Sequence, residues 1–428
     1  MSTHREEKLL VDIDEFENKE FLDKIKEFSE NEVAKIAKKL DLTDEFPVET
    51  CEKMHDLKLF SLLIPREYGG EGLSLLHFSQ ALYTISKYSA SIGLLIICHT
   101  VGLLPVIFYG SEEQKNKYFK EVIDNRKLFA FSITEPKAGS DAASIEATAL
   151  KDGKDYILNG IKSFITNVGK SDYYTMFFKT EPEKGSRGMS CFIVDKNLDG
   201  FKIISTYEKI GMRGIPCGNV KLDNVRISKS ELIGEEGIGF KIAMDTLNTS
   251  RPFIGAQAIG IAEYAFEKAL RFASRRRQFG KPIAKHQAVM FKLAKMATKV
   301  EAAKSIVRKA CYLLDNDDHE KTKFSAMCKA FATDVAMENS IDAMQIYGGY
   351  STYRDGDIER LMRDAKITQI FEGSNEIQNM IIGNQLYKEA GIKFDADEDI
   401  LPDELMKYAY GEDYVSSKKS WKFSRRVF

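Results

Sequence analysis

Glu372 stands between Phe371 and Gly373 in the stretch IFEGSNEIQ, residues 370–378. A carboxylate beside an aromatic ring and a glycine hinge is either a solvated turn residue or a base kept partly dry. Ile370 and Phe371 would raise its pKa by stripping water from the charged form, toward the range useful for proton abstraction. Gly373 would permit a ligand to come close to the backbone.

Four other stretches carry residue types with a chemical use. TEPKAGSD (134–141) is a small-residue loop after a strand-like run. Its backbone N–H groups and the Ser140 hydroxyl could bind a polar ring edge or a phosphate, or simply make a turn. FITN (164–167) sets an aromatic and a hydroxyl on neighbouring strand positions, which also suits a core. SRRRQFGKPI (274–283) offers Arg276 and Gln278 at a helix end, suited to a pyrophosphate or to solvent. QIYGG (345–349) closes a helix with two glycines, as an ordinary C-cap does.

Other chemistries are excluded by pattern. GKS at 169–171 is not a phosphate loop, because the glycine required five places earlier is Phe164. No GxGxxG follows a strand-like run, which argues against a dinucleotide fold. The six histidines show no HExxH or paired ligand spacing, so no metal is expected. With 62 Lys+Arg against 64 Asp+Glu, the net charge of -2 gives no footprint for nucleic acid or an anionic membrane.

The six cysteines are scattered without a CxxC, as in a reducing compartment. The acidic N-terminus lacks an apolar h-region, so no targeting peptide is read and a cytoplasmic location is expected, a mature matrix protein being the other case. From Tyr88 to Ser111 no Asp, Glu, Lys or Arg occurs. Ser89, Ser91, His99, Thr100 and Pro105 interrupt that run, so it reads as a buried core helix and turn with no membrane span.

The elements that must position these residues follow from the hydrophobic period, in a chain of 428 residues that is 43% hydrophobic and 29% charged. Helical spacing dominates from Lys19 to about Lys127, with breaks expected at Pro47, PREYGGEG (65–72) and Pro105. From about Phe129 to Ser230 the runs shorten to strands: LFAFSITE, DYILNGIKSFITNV, DYYTMFFKT, SCFIVDK and GNVKLDNVRIS. After GEEGIGF (234–240) long helices return. Their stripes are Ala258, Ala262, Ala265, Ala269 and Phe272; Val289, Leu293, Met296, Val300, Ala303, Val307 and Ala310; and Phe324, Cys328, Phe331 and Val335. Long helices with short links make an antiparallel bundle.

Together, and in order, these stretches resemble the acyl-CoA dehydrogenase family from about Lys19 to Glu389. GEEGIGFKIAMDTLNTSR and ERLMRDAKITQIFEGSNEIQ add to the match. The resemblance implies an α+β fold: an all-α N-terminal domain (1–128), a middle β-barrel-like domain (129–244) and a C-terminal four-helix bundle (245–393), followed by an extension (394–428). It implies FAD as cofactor. The ring would be held by Phe131, Ile133, Thr134, Gly139 and Ser140 and by Phe164, Ile165 and Thr166. Arg276, Gln278 and Phe279 match the family's Arg-x-Gln-Phe segment, with His286 and Gln287 a little further on. Gln345, Gly348 and Gly349 match the segment that reaches the FAD of a neighbouring subunit, hence a homotetramer. Ser374 and Glu376 complete the cofactor set. Ser140, Asn248, Arg251 and Gly373 would face the acyl-CoA.

In most of this family the Glu of EGxxEIQ is the catalytic base, matching Glu372. The α C–H of a thioester is a weak acid, so a base must sit against it in a dry site. Hydride departure from the β carbon to the flavin then gives the trans-2-enoyl-CoA, and the electrons pass to electron-transfer flavoprotein. Backbone N–H groups near Glu372 are candidate donors to the thioester oxygen as enolate charge develops. Some relatives carry their base just before the arginine matching Arg251. That position is Ser250 here, which leaves Glu372 alone.

Three departures stand out: Phe164 where a tryptophan is usual, Ser351-Thr352 after GGY, and Asn248 where an acidic residue is usual. An acyl-CoA oxidase would share the fold but carries a further large C-terminal domain that the tail does not supply. A non-catalytic flavoprotein subunit would have no need of Glu372. The tail, acidic in DADEDILPDE and basic in KKSWKFSRRVF with the lone Trp421, is expected to be an interaction element without a part in the chemistry.

Overall fold

A computed structural model describes residues 19–392. The acidic N-terminal stretch and the expected extension 394–428 lie outside the described residues. Among the described residues, six α-helices come first: α1 (Lys19–Phe28), α2 (Ala34–Thr43), α3 (Val48–Asp56), α4 (Leu75–Tyr88), α5 (Ala90–Tyr109) and α6 (Glu112–Ile123). Local chemistry sets several of their starts. Ser74 and Ser89 accept the first-turn amides of His77 and Ile92, and Ser111 with Gln114 forms a reciprocal capping box before α6.

One sheet follows: β1 (Phe129–Ser132), β2 (Thr148–Asp152), β3 (Asp155–Thr166), β4 (Tyr173–Lys179), β5 (Met189–Asp195), β6 (Phe201–Thr206), β7 (Cys217–Ser228) and β8 (Leu232–Ile233). Its order is β6-β7-β3-β2-β4-β5-β8, with β1 paired parallel to β4 from Phe129↔Tyr173 to Ser132↔Met176. The five strand-like runs are all strands. β2 and β6 were not read from sequence, because their mostly exposed faces carry no clean apolar alternation.

Strand β4 is buried on both faces. Tyr174, Met176 and Phe178 enter the core of the sheet, while Phe177 enters the core shared with the helices. The Thr175 hydroxyl, on the helical side, donates to the Gly102 carbonyl at 2.5 Å.

The C-terminal part holds α7 (Gly239–Arg275), a short hairpin of β9 (Arg277–Gln278) and β10 (Lys281–Pro282), α8 (Gln287–Asp315), α9 (Lys321–Tyr347), α10 (Glu359–Thr368) and α11 (Asn375–Glu389). The stripes lie inside as expected, with Ala258, Ala262, Met296, Ala303 and Cys328 fully buried. Phe331 is the exception at 40% exposure: its place in the stripe falls at the outer edge of α9.

The break expected at Pro105 does not occur. Proline in a helix interior loses one hydrogen bond and usually kinks the chain. Here α5 runs on to Tyr109, buried over most of its length, so tertiary packing overrides the local preference. This helix is long and apolar enough to cross a membrane, but 83% of its most apolar window lies inside the protein, as a core helix does.

Candidate active site

Two buried clusters position the residues singled out above. The first joins the loop after β1 to strand β3. Lys162 on β3 is fully buried, and its ammonium donates to Glu135 Oε1 at 2.7 Å and to the Ile133 carbonyl at 3.4 Å. Glu135 also accepts the amides of Glu146 (2.6 Å) and Ala147 (3.1 Å). The Ser163 amide donates to the Thr134 carbonyl at 2.8 Å. Burial pulls the Lys162 pKa down to about 8, against the pull of Glu135. These bonds hold the 133–140 loop and the 164–166 segment together.

Within this cluster Ile133 and Ile165 are buried, whereas Gly139 and Ser140 are exposed. Phe131 packs against Phe177 at a tilt of 56°, with ring centroids 5.1 Å apart. Phe164 lies where the pairing of β3 with β7 slips between Lys162 and Ile165. Its φ of 54° is left-handed, its ring is 63% exposed, and it stacks on Tyr207 at 5.0 Å. A bulge of this kind re-aims a side chain out of the sheet, and it does so here. Thr166 pairs with Cys217 across the two strands, and its hydroxyl serves the thiols of Cys217 and Cys98.

The second cluster surrounds Glu372, on the link between α10 and α11. Ser250 on α7 donates its hydroxyl to Glu372 Oε2 at 2.9 Å. Arg251 beside it is 4% exposed, and its Nη1 donates to Asn248 Oδ1 at 2.5 Å while its Nε has no partner. Lys329 on α9, fully buried, donates to the Gly373 carbonyl and to Asn375 Oδ1, each at 2.9 Å. Gln378 Nε2 donates to the carbonyls of Glu372 (3.3 Å) and Gly373 (2.9 Å).

Electrostatics follow from this packing. Burial raises the Glu372 pKa, opposed by the Ser250 hydrogen bond and then by Arg251 and Lys329. Burial lowers Arg251 to about 10, with Glu372 opposing, and lowers Lys329 to about 7. The Glu372 charge also acts on Cys98, whose thiol is raised mainly by burial. The half-buried carboxyl thus sits among two buried cations and a hydroxyl, with its proton affinity lifted.

Backbone strain marks the same spot. Glu372 has φ 55° and Gly373 φ 85°. A left-handed glutamate is uncommon and costs about 1–2 kcal/mol, which the surrounding hydrogen bonds must hold. The need for glycine at 373 is partly internal, since a Cβ there would lie 2.6 Å from Gln378 Nε2. Ser374 stands just before α11, its carbonyl accepting the Gln378 amide at 3.0 Å and its hydroxyl bonded to the carboxylate of exposed Glu376.

The remaining predicted residues form a third group. Arg276 follows α7 and lies over the Tyr350 ring, 5.7 Å from its centre. With Arg271, Phe272, Arg275, Tyr347 and Tyr350 it lines a cavity of about 460 Å³. Gly348, at φ 59°, and Gly349 have open space where a Cβ would stand, and Gln345 is exposed one turn before them. On the hairpin, the Gln278 side chain turns back to the Arg277 carbonyl, Phe279 is 93% exposed, and the His286 ring packs edge-on to it. Gln287 opens α8.

Two participants escaped the sequence. Ser250 was read only as a residue unable to act as a base, yet it is the hydrogen-bond partner of Glu372. Lys329 was not singled out. A signal existed: Ser325, Lys329 and Thr333 recur every fourth residue along α9, and all three are buried.

Family models match nearly the whole described chain: acyl-CoA dehydrogenase N-terminal domain over 15–126, middle domain over 130–225 and C-terminal domain over 237–387. The chain belongs to the acyl-CoA dehydrogenase family. It is 44% identical over 363 residues to an acyl-CoA dehydrogenase of Bacillus subtilis, covering 85% of this chain and 96% of the relative. It is 41% identical to the 3-(aryl)acrylate reductase of Clostridium sporogenes, with the same coverage of 85% and 96%. Among solved structures, butyryl-CoA dehydrogenase from Megasphaera elsdenii superposes with a TM-score of 0.84 at 36% identity, over 86% of this chain and 97% of its own. A solved chain described under the electron transferring flavoprotein of Acidaminococcus fermentans gives 0.85 at 37% identity, over 88% of this chain and 99% of its own.

This acyl-CoA dehydrogenase family member has the family's fold, with a helical N-terminal domain, a middle β domain and a helical C-terminal domain. It is a flavin-dependent oxidoreductase with FAD as its cofactor. The residues present fit that group. The arginine- and tyrosine-lined cavity has the charge and aromatic surface that a diphosphate and a stacked ring require. The exposed, bulge-presented Phe164 offers an aromatic face beside the 133–140 loop.

Proposed function

We propose that the protein catalyses α,β-dehydrogenation of an acyl-CoA thioester to the trans-2-enoyl-CoA, with Glu372 as the base. The observation that carries this is the Glu372 carboxyl itself. It is held at Oε2 by Ser250, and its proton affinity is raised by burial among Arg251 and Lys329.

With Oε2 occupied by Ser250, Oε1 is the oxygen that takes the α proton. The raised pKa moves the group toward the working range of a general base while the hydrogen bond and two cations keep it ionised. The α C–H bond breaks, the proton passes to Glu372, and the electron pair forms the new double bond. Bound FAD supplies the acceptor for the hydrogen and electron pair that leave the β carbon. Developing charge on the thioester oxygen is met by backbone N–H groups beside Glu372. Ser140, Asn248, Arg251 and Gly373 line the path of the thioester.

The flavin ring is held by Phe131, Ile133, Thr134, Gly139, Ser140, Phe164, Ile165 and Thr166. The Arg276 cavity, with Gln278 to Gln287 and Ser374 to Glu376 from their own segments, takes the diphosphate and adenosine end. Gln345, Gly348 and Gly349 lie exposed, as suits reaching the cofactor of a neighbouring subunit in a homotetramer. Electrons leave to an electron-transfer flavoprotein, which the likeness to the Acidaminococcus chain supports. The relatives' names include a 3-(aryl)acrylate, cyclohexane-1-carbonyl-CoA and butyryl-CoA, which supports short straight and ring-bearing acyl groups as first candidates.

The test is Glu372→Gln. The variant should purify yellow and bind acyl-CoA while anaerobic flavin reduction falls on the order of 10²–10⁴-fold. Butyryl-CoA and cyclohexane-1-carbonyl-CoA serve as the first probes. Reduction at the wild-type rate would place the base elsewhere.

A further inference from the structure

Lys329 is a fully buried cation that the proposed chemistry does not use directly. It lies in the middle of α9, on the polar stripe of Ser325, Lys329 and Thr333. The stripe ties α9 to two walls of the site. The Ser325 hydroxyl bonds the Asn248 carbonyl on α7. Lys329 reaches Gly373 and Asn375 on the base-bearing link, and the Thr333 hydroxyl reaches Asn375 Oδ1 at 3.2 Å.

The same link is gripped at both ends. Asp334 Oδ1, one residue further along α9, accepts from Gln369 Nε2 at 2.6 Å and from Asn375 Nδ2 at 2.8 Å. With its oxygen on an ammonium and its nitrogen on a carboxylate, the Asn375 amide has one orientation. Between those anchors stand the two consecutive left-handed residues, Glu372 and Gly373. The Gly373 carbonyl that Lys329 grips is therefore one peptide away from the base.

We propose that Lys329 is a positioning residue for Glu372: its ammonium, bonded to the Gly373 carbonyl and Asn375, holds the strained link and keeps the carboxyl turned to Ser250 and ionised. The inference rests on Glu372 being the base. Two effects follow. The first is geometric, because releasing the Gly373 carbonyl frees the strained peptide to relax, and misplacing a catalytic group by about 1 Å costs up to 10²-fold in rate. The second is electrostatic. The charges facing this ammonium are Glu372 and Glu376 from the link, Asp334 on its own helix and Arg251 on α7; Glu372 faces Ser250 and Arg251 on α7 and Cys98 on α5 as well. Removing one of the two cations near Glu372 raises its pKa.

The experiment uses Lys329→Met and Lys329→Gln, each in the full flavin-loaded chain, with Glu372→Gln measured alongside. Anaerobic flavin reduction by butyryl-CoA or cyclohexane-1-carbonyl-CoA, whichever reduces the wild type faster, is followed from acid to alkaline pH. The methionine variant should bind acyl-CoA normally, reduce flavin roughly 10- to 100-fold more slowly, and show its acid limb about one unit higher. The glutamine variant keeps a donor but no charge, so it should recover part of the rate and none of the limb shift.

If Glu372→Gln is inactive while Lys329→Met matches the wild type in rate and limb, the positioning role alone is overturned. Wild-type reduction by Glu372→Gln overturns the assignment of the base and the inference with it. Should the methionine variant lose flavin, the glutamine variant decides by the same readings, and loss of flavin from both overturns the proposal in favour of a purely structural lysine.

Discussion

The Ser250 hydroxyl donates to Glu372 Oε2 at 2.9 Å, across a sequence separation of 122 residues. The bond favours the ionised carboxyl, so it works against the burial that raises the Glu372 pKa. Ser250→Ala should therefore raise that pKa further. The acid limb of flavin reduction should move to higher pH, with the alkaline plateau lowered by less than in Glu372→Gln. A limb that stays put, or moves to lower pH, would show that the hydroxyl does not act on the base.

Glu372 also links stability to pH. Its folded-state pKa lies above the ordinary 4.5, so the folded protein holds this proton more tightly than the unfolded chain does. Stability from this group is present at acid pH and is lost as pH rises from the unfolded value through the folded one. Glu372→Gln, neutral throughout, should melt higher than wild type above that window and alike below it. Calorimetry of the flavin-loaded proteins without acyl-CoA reads the difference; a wild type that gains on the variant with rising pH contradicts it.

Arg276 lines the cationic cavity with Arg271 and Arg275. Charge-assisted hydrogen bonds from a guanidinium contribute roughly 1.5–3 kcal/mol each. Arg276→Ala should weaken FAD binding about tenfold or more, seen as lower flavin occupancy after dilution and gel filtration. Full occupancy at low protein concentration would remove Arg276 from the cofactor site.

The buried pair Lys162–Glu135 predicts an asymmetry between its two deletions. Glu135→Ala strands a fully buried ammonium, an effect of about 3–5 kcal/mol, and frees the amides of Glu146 and Ala147. Lys162→Met leaves a carboxylate that keeps those two donors. The alanine variant should melt at the lower temperature and lose flavin more readily. The reverse order in thermal unfolding would contradict the geometry.

Much of this was legible in the residues. Periodicity located the long helices and the five principal strands because those elements bury a regular apolar face, and Glu372 announced itself through Ile370, Phe371 and Gly373. What escaped depended on contacts distant in sequence. Pro105 was expected to end a helix, but burial on all sides of α5 holds it in place. Lys329 looks like one more lysine in a 29% charged chain until Gly373, 44 residues on, is found against its ammonium. Phe331 fits its stripe by spacing, yet it emerges at the surface, where α9 meets solvent rather than a neighbouring helix.

Strand β4 alternates between two hydrophobic interiors, with Tyr174, Met176 and Phe178 in one and Phe177 in the other. A strand shared in this way is a common wall. Melting the helices would bare one side of it, and unravelling the sheet would bare the other. The strands and the surrounding helices are therefore expected to lose their structure together.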